Sequence, residues 1–158
     1  MIRTATIQDI EQITAIYNDA IMNTTAVYTY EAETVASRMA WFNAKTAPIF
    51  VYELEGKVAG YATYGPFRPW PAYQYTVEHS IYVTPQFQRR GVARALLATL
   101  LDTAKAEGYH TMVAGIDADN HGSIHLHEQA GFAYAGKLCE VGYKFERWLD
   151  LAFYVRKL

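Results

Sequence analysis

Three β-like segments follow one another between residues 49 and 83 with no helix between them, and this block constrains the fold most. The runs IFVYEL (49–54) and VAGYATYG (58–65) are separated only by EGK, which is typical of a short hairpin. The third run, YTVEHSIYV (75–83), follows a loop stiffened by three prolines. A doubly wound fold alternates each strand with a helix, so the block argues against that architecture.

Helical periodicity lies on both sides of this block. Thr6 can cap a first helix, with Asp9 completing a variant capping box, and apolar residues recur at three- and four-residue steps from Ile10 to Ile21. Further helices are predicted over 34–44, 91–105 and 120–130, and further strands over 2–5, 110–116, 132–144 and 148–158. The prediction is an α/β (α+β) fold. It has one mixed, mostly antiparallel sheet of about seven strands, flanked by about four helices, in a single domain over residues 1–158.

Composition narrows the class of protein. The formal net charge of −2 argues against a general nucleic-acid binder. The single cysteine, Cys139, rules out an intramolecular disulfide and suits a reducing compartment. The first residues lack the basic and apolar regions of a signal peptide, and no apolar run approaches the roughly 20 residues of a spanning helix. We therefore expect a cytoplasmic protein that binds neither membranes nor nucleic acids.

The stretch PQFQRRGVARALL (85–97) joins a predicted strand to a predicted helix. Free backbone N–H groups and the helix dipole attract anions at such a junction. Gly91 permits a close backbone approach, while Arg89, Arg90 and Arg94 add positive charge. The pattern predicts a pyrophosphate cradle, and the alternative is a solvated basic turn. It matches neither a P-loop nor a dinucleotide fingerprint.

Glu78 is an ionisable residue inside an otherwise apolar and small-residue strand. Two-residue alternation places Thr76, Glu78 and Ser80 on one face of that strand and His79 on the other. Burial would raise the pKa of a carboxyl group toward the range useful for a general base. The alternative is a surface-facing or salt-bridged glutamate.

The histidines do not form a metal site in the sequence. His125 and His127 are two residues apart on a predicted helix and so point about 200° apart, which prevents them from sharing one ion. They have no cysteine partner and form no H-E-x-x-H motif, so no metal is predicted. Asn120 is a good N-cap for the same helix.

Several segments resemble one family. QRRGVA (88–93) resembles the Q/R-x-x-G-x-G/A motif of the GCN5-related N-acetyltransferases, and like that motif it follows a strand and opens a helix. TVEHSIYV (76–83), SIHLHEQAGF (123–132) and VGYKFERWLDL (141–151) look like the phosphinothricin and methionine sulfoximine acetyltransferases within it. These segments occur in the same order along most of the chain.

The resemblance implies an acetyl-coenzyme A-dependent enzyme that acetylates the free amine of a small amino-acid analogue. Glu78 would be the general base, and His127 would do acid/base work or position the substrate amine. The residues expected to bind the coenzyme are Ile81, Tyr82, Val83, Arg89, Arg90, Gly91, Val92, Ala93, Arg94 and Asn120.

The loop FRPW (67–70) would supply the substrate end of the site. Arginine can bind a carboxylate bidentately, and the residues expected to contact substrate are Arg68, Pro69, Trp70, Glu78, His79 and Ser80. Pro66-Phe67 and Glu146 depart from that branch and leave the exact substrate open. The resemblance also implies a homodimer. Two alternatives remain, namely an acetyltransferase for another amine, such as a protein N-terminus or an aminoglycoside, and a non-catalytic acyl-coenzyme A binder.

Overall fold

The computed structural model describes residues 1–158. Its four α-helices are Ile10–Asn23 (α1), Val35–Ala44 (α2), Val92–Ala106 (α3) and His121–Gln129 (α4). Its seven strands are Ile2–Thr4 (β1), Ile49–Leu54 (β2), Lys57–Pro66 (β3), Thr76–Val83 (β4), Thr111–Asp117 (β5), Ala133–Lys144 (β6) and Arg147–Lys157 (β7). Short 3-10 turns at Ile7–Asp9, Pro71–Tyr73 and Pro85–Phe87 introduce α1, β4 and the approach to α3.

The strands form one sheet in the order β1-β2-β3-β4-β5-β7-β6. β4 and β5 run parallel, whereas β1 with β2, β2 with β3, β5 with β7 and β6 with β7 are antiparallel. A parallel pair needs a long crossover, which here contains α3. The predicted mixed, mostly antiparallel sheet of seven strands with four helices is confirmed, and most predicted ends agree to within a residue or two.

The chain divides into two compact units, the first comprising Met1–Tyr64 and Ser80–Leu97. Its core includes the fully buried Ile13, Val51 and Tyr61. At its amino end the carboxylate of Asp9 accepts a hydrogen bond of 2.8 Å from the backbone N–H of Thr6, which is the contact that the capping pattern predicts.

The second unit comprises Gly65–His79 and Ala98–Leu158. It contains the β4–β5 pairing, α4 and the long β6–β7 hairpin. The hairpin turns at Phe145 and Glu146, which both have positive φ, as a two-residue type I′ turn requires. None of the helices has both the length and the apolar character needed to span a membrane.

Candidate functional site

Glu78 lies at the end of the parallel pairing of β4 with β5. Thr76, Val77 and Glu78 of β4 pair with residues 111–113 of β5, and the pairing stops there although β4 continues to Val83 and β5 to Asp117. Beyond Val113 one backbone edge of β5 therefore has no hydrogen bonds to β4. The carboxylate stands where a ligand can meet unshared backbone donors and acceptors.

The Glu78 carboxylate is half-buried and makes no hydrogen bond or ion pair. Burial raises its pKa above the ordinary value of 4.5 because desolvation disfavours the charged form. A Cβ added to Gly115 would lie 3.3 Å from Oε2 of Glu78, a tight contact that the end of the glutamate side chain could relieve by a small shift. The group is suited to accept a proton from an amine brought to this place.

His79 points to the opposite face of β4 and meets His127 of α4. Their Nε2 atoms lie 3.0 Å apart, and Nδ1 of His127 lies 2.6 Å from the carbonyl oxygen of Ser123. A carbonyl oxygen only accepts, so Nδ1 of His127 carries a proton and its Nε2, in the neutral ring, is an acceptor. His79 must then donate from its own Nε2. The ring of Phe132 packs edge-on against both imidazoles.

Both imidazoles are held neutral. Burial lowers the pKa of His79 to about 3, and the neighbouring His127 lowers it further. Burial also lowers the pKa of His127, against a smaller opposing effect of the Ser123 carbonyl. His127 is only 4% exposed and both of its ring nitrogens are engaged. The arrangement suits positioning better than proton donation, the two roles that the resemblance left open.

Asn120 caps α4 as the sequence predicts. Its Oδ1 accepts a hydrogen bond of 3.1 Å from the backbone N–H of Ser123. The residue is exposed and its side-chain nitrogen makes no hydrogen bond, so capping leaves this donor for a ligand. Its predicted contact with the coenzyme stays a prediction.

In the first unit, the loop before α3 has the backbone form of an anion-binding nest. Arg89 has φ +60° and Gly91 has φ +81°, while Arg90 between them has negative φ. Residues that alternate in handedness turn successive N–H groups toward one point. The 15-residue helix α3 begins at Val92 and adds its positive amino end. The loop therefore fits a phosphate-bearing ligand such as the coenzyme.

The three arginines of the loop are not equivalent. Nη2 of Arg90 pairs with Oε1 of Glu55 at 2.9 Å, so its charge is already compensated. Arg89 and Arg94 are exposed and have no carboxylate partner. They are the side chains available to a bound anion.

The carboxyl half of β4 is in close contact with a glycine of β3 and with aromatic rings. A Cβ on Gly60 would lie only 2.7 Å from the carbonyl oxygen of Tyr82, a contact that no side chain could accept. The ring of Tyr82 packs against Tyr17 and Tyr61 with centroid separations of 5.5 and 5.3 Å. These contacts fix the backbone of 81–83, which is expected to bind the coenzyme.

Arg38 is a buried cation that the sequence reading missed. It is 6% exposed, and its guanidinium lies 4.1 Å from the ring centre of Tyr17 and 3.7 Å from that of Trp41. Nη2 donates to the hydroxyl of Tyr61 at 3.2 Å, and no carboxylate is paired with the group. Aromatic faces replace a counter-ion, because their π systems attract a cation.

The loop predicted to bind substrate is anchored by Phe67. This residue packs on Tyr73 at 5.8 Å, and its N–H donates to the carbonyl of Thr76. Arg68 and Trp70 are exposed, Trp70 to 69%, and Arg68 has no carboxylate partner. The loop thus presents an uncompensated guanidinium and an aromatic ring in the unit that carries Glu78.

Among the histidine, cysteine and acidic side chains, no group of three converges as a metal site would require. Gly60 and Gly115 lie close to β4 residues of the candidate site and were not predicted to do so, although a glycine inside a strand signals close approach of a ligand or backbone. Nothing in the sequence signals the partner of His79 or the environment of Arg38, because both depend on residues far away along the chain.

The chain is similar in sequence to known acetyltransferases. The model of the acetyltransferase (GNAT) family matches residues 11–132. An L-methionine sulfoximine/L-methionine sulfone acetyltransferase of Pseudomonas paraeruginosa is 45% identical over 156 residues, covering 96% of this chain and 91% of that protein. A phosphinothricin N-acetyltransferase of Streptomyces coelicolor is 35% identical over 160 residues, covering 96% and 92%.

Solved structures agree over nearly the whole chain. An N-acetyltransferase from Staphylococcus aureus Mu50 superposes with a TM-score of 0.98 at 57% identity, covering 99% of this chain and 97% of that one. The acetyltransferase yncA from Salmonella typhimurium, solved with its cofactor acetyl-CoA, gives a TM-score of 0.97 at 42% identity, covering 100% and 93%.

Proposed function

The chain belongs to the acetyltransferase (GNAT) family, and on that premise we propose that it acetylates the free amine of a small amino-acid analogue with acetyl-CoA as donor. The substrates proposed are methionine sulfoximine, methionine sulfone and phosphinothricin, each of which combines an amine, a carboxylate and a tetrahedral polar head. The names of the relatives favour this class. The whole chain, residues 1–158, would act as one acetyltransferase domain.

One observation carries the proposal, namely the isolated, half-buried Glu78 carboxylate with its raised pKa. An amino acid is bound as an ammonium, which must lose a proton before its nitrogen is nucleophilic. Glu78 would accept that proton, directly or through one water. Acetyl-CoA supplies the acetyl group as a thioester, so no covalent bond to the enzyme is needed.

The residues of the loop before α3 fit the donor. The nest at residues 89–91 and the amino end of α3 would hold its pyrophosphate, while residues 81–83 and Asn120 would hold the arm. Arg68 would bind the substrate carboxylate, with Trp70 as an aromatic wall. Ser80 would complete the substrate contacts beside Glu78.

The test is release of free thiol from acetyl-CoA in the presence of each proposed substrate. Turnover is expected with at least one of them. An aminoglycoside and a peptide with a free amino terminus serve as competing substrates, and preference for either would replace the proposed substrate class. Binding of acetyl-CoA without turnover on any amine would indicate a non-catalytic binder instead.

We also propose that the protein is a cytoplasmic homodimer formed through β6. This strand is the last in the sheet and exposes apolar side chains that include Leu138, Val141 and, at the adjoining turn, Phe145. A second copy offers the same edge and the same side chains, which is what a two-fold interface requires. The free thiol of the exposed Cys139 suits a reducing compartment.

Light scattering after gel filtration tests the dimer. The wild type is expected at twice the chain mass of 17.9 kDa. Leu138→Lys should shift it toward the monomer, since a charge would be buried at the interface. A wild-type monomer at micromolar concentration would contradict the proposal.

A further inference from the structure

One ring nitrogen of His79 is left over by the hydrogen bonds that hold the ring. Its Nε2 donates to Nε2 of His127, whose Nδ1 in turn donates to the Ser123 carbonyl. Nδ1 of His79 is buried and has no hydrogen-bond partner. Because its Nε2 carries the proton, this nitrogen is an acceptor.

Buried polar atoms without partners are rare, since burial removes their hydrogen bonds to water without replacing them. Such an acceptor needs a donor from outside the chain, which a water or a bound ligand can supply. His79 as a whole residue is half-buried, and its Nδ1 has almost no accessible surface. Bulk water, which scarcely reaches Nδ1, competes little for the position.

The position of His79 in β4 indicates which ligand could donate a hydrogen bond to its Nδ1. It directly follows Glu78, the last residue of β4 that pairs with β5. Under the proposed function, the arm of coenzyme A is extended, contains amide N–H groups and ends at the sulfur. It binds along the part of β4 that continues beyond the pairing with β5. His79 is the first residue of that continuation.

We propose that Nδ1 of His79 accepts a hydrogen bond from an N–H or S–H donor on the arm of coenzyme A. In this inference, which rests on the proposed function, His127 and Ser123 are positioning residues that hold His79 in the required tautomer. The direction of these hydrogen bonds is fixed at Ser123, because its carbonyl oxygen cannot donate a proton. The pair therefore presents an acceptor to the ligand and does not supply a proton to the departing thiolate.

The tautomers are checked first in the wild-type protein by nitrogen-15 NMR of the imidazoles. In the free enzyme we expect His127 protonated at Nδ1 and His79 at Nε2, with both rings neutral at pH 7. Addition of coenzyme A should shift the Nδ1 resonance of His79 and leave its protonation state unchanged. The opposite tautomers, or an unmoved Nδ1 resonance with coenzyme bound, would overturn the inference.

Calorimetric binding of coenzyme A and of acetyl-CoA then measures the contact. His79→Phe removes the acceptor while keeping a planar ring, and we expect the affinity to fall about 2- to 12-fold, as loss of one hydrogen bond implies. His125→Gln is the matched control, because it alters an exposed histidine on α4, the helix of His127. This variant should bind both ligands as the wild type does. If only the affinity for coenzyme A falls, the S–H group is the donor. If the affinities for coenzyme A and acetyl-CoA fall equally, the donor is an amide N–H.

Unchanged affinity of His79→Phe for both ligands would overturn the contact. If the wild type bound neither ligand, the proposed function would fail and this inference with it. Normal wild-type binding with an unmoved His79 resonance would remove the inference alone.

Discussion

Oε2 of Glu78 lies 3.3 Å from the point that a Cβ on Gly115 would occupy. Glycine at position 115 leaves the carboxylate without a tight contact from β5, and burial raises the pKa of the carboxyl group. No neighbouring charge or hydrogen bond perturbs it. A proton acceptor with this isolation has a simple dependence on pH, which makes its role testable.

Glu78→Gln should lower the rate of thiol release at least about tenfold, because general-base catalysis typically contributes about 10²- to 10⁴-fold. Binding of acetyl-CoA should persist, since the residue is not expected to contact the donor. Steady-state kinetics and calorimetry measure the two effects separately. Glu11→Gln, at an exposed position of α1, is the control and should keep full activity. Unchanged turnover in Glu78→Gln would refute the assignment of the base.

The stability of the fold should depend on pH through the same Glu78 carboxyl group. Its folded-state pKa lies above 4.5, so the protonated form is the one favoured by folding. That contribution is fully present below pH 4.5 and is lost as the pH rises through the folded-state value. Glu78→Gln should therefore match the wild-type Tm near pH 4 and exceed it at pH 7. Thermal unfolding monitored by circular dichroism checks this, and an equal Tm difference at both pH values would contradict it.

Gly91→Val should weaken acetyl-CoA binding more than Arg90→Ala does. The φ of +81° is poorly tolerated by a β-branched residue, and a valine would turn the amides of the nest away from their common point. Arg90 is already paired with Glu55, so its removal should lower the affinity for acetyl-CoA only slightly. Calorimetry gives both dissociation constants. The reverse order would make the loop a basic patch rather than a backbone cradle.

Gly60→Ala should both destabilise the protein and weaken coenzyme binding. Its new methyl group would lie 2.7 Å from the Tyr82 carbonyl oxygen, so the backbone of β4 must shift. Gly122→Ala is the matched control, since its methyl group meets nothing closer than 3.9 Å and alanine favours the helix. Chemical denaturation and calorimetry measure the two properties. Equal behaviour of the two variants would show that the close approach has no consequence.

Arg38→Lys should lower the free energy of unfolding by about 1–2 kcal/mol even though the charge is kept. A guanidinium stacks on aromatic faces, whereas an ammonium is a compact and strongly hydrated charge. Arg147, whose ion pair with Asp119 is exposed, is the control, and Arg147→Lys should change stability by less than about 0.5 kcal/mol. Urea denaturation compares the two. Full stability of Arg38→Lys would mean that charge alone, and not stacking, is required there.

Much of the fold could be predicted because it depends on local patterns. Residues 49–83 contain strands separated by turn and loop signals, and α4 has the predicted cap at Asn120, whose side chain accepts the expected backbone hydrogen bond. These features depend on residues within a few positions of one another. The pairing partners of the strands are less local, and no short-range periodicity encodes them.

The chemistry of the site could be predicted only in part from the sequence. Glu78 stood out because a carboxyl group is unusual inside a strand, and Gly91 because it opens a helix after basic residues. The sequence by itself determined the order of elements, the helix caps and the residue types available for acid/base and anion-binding work. Only the tertiary structure decided that Glu78 has no partner, that His79 is hydrogen-bonded to His127, and that Arg38 is stacked between aromatic rings. Desolvation and hydrogen-bond polarity arise from atoms brought together across 48 residues in the histidine pair, and no local pattern encodes such a distance.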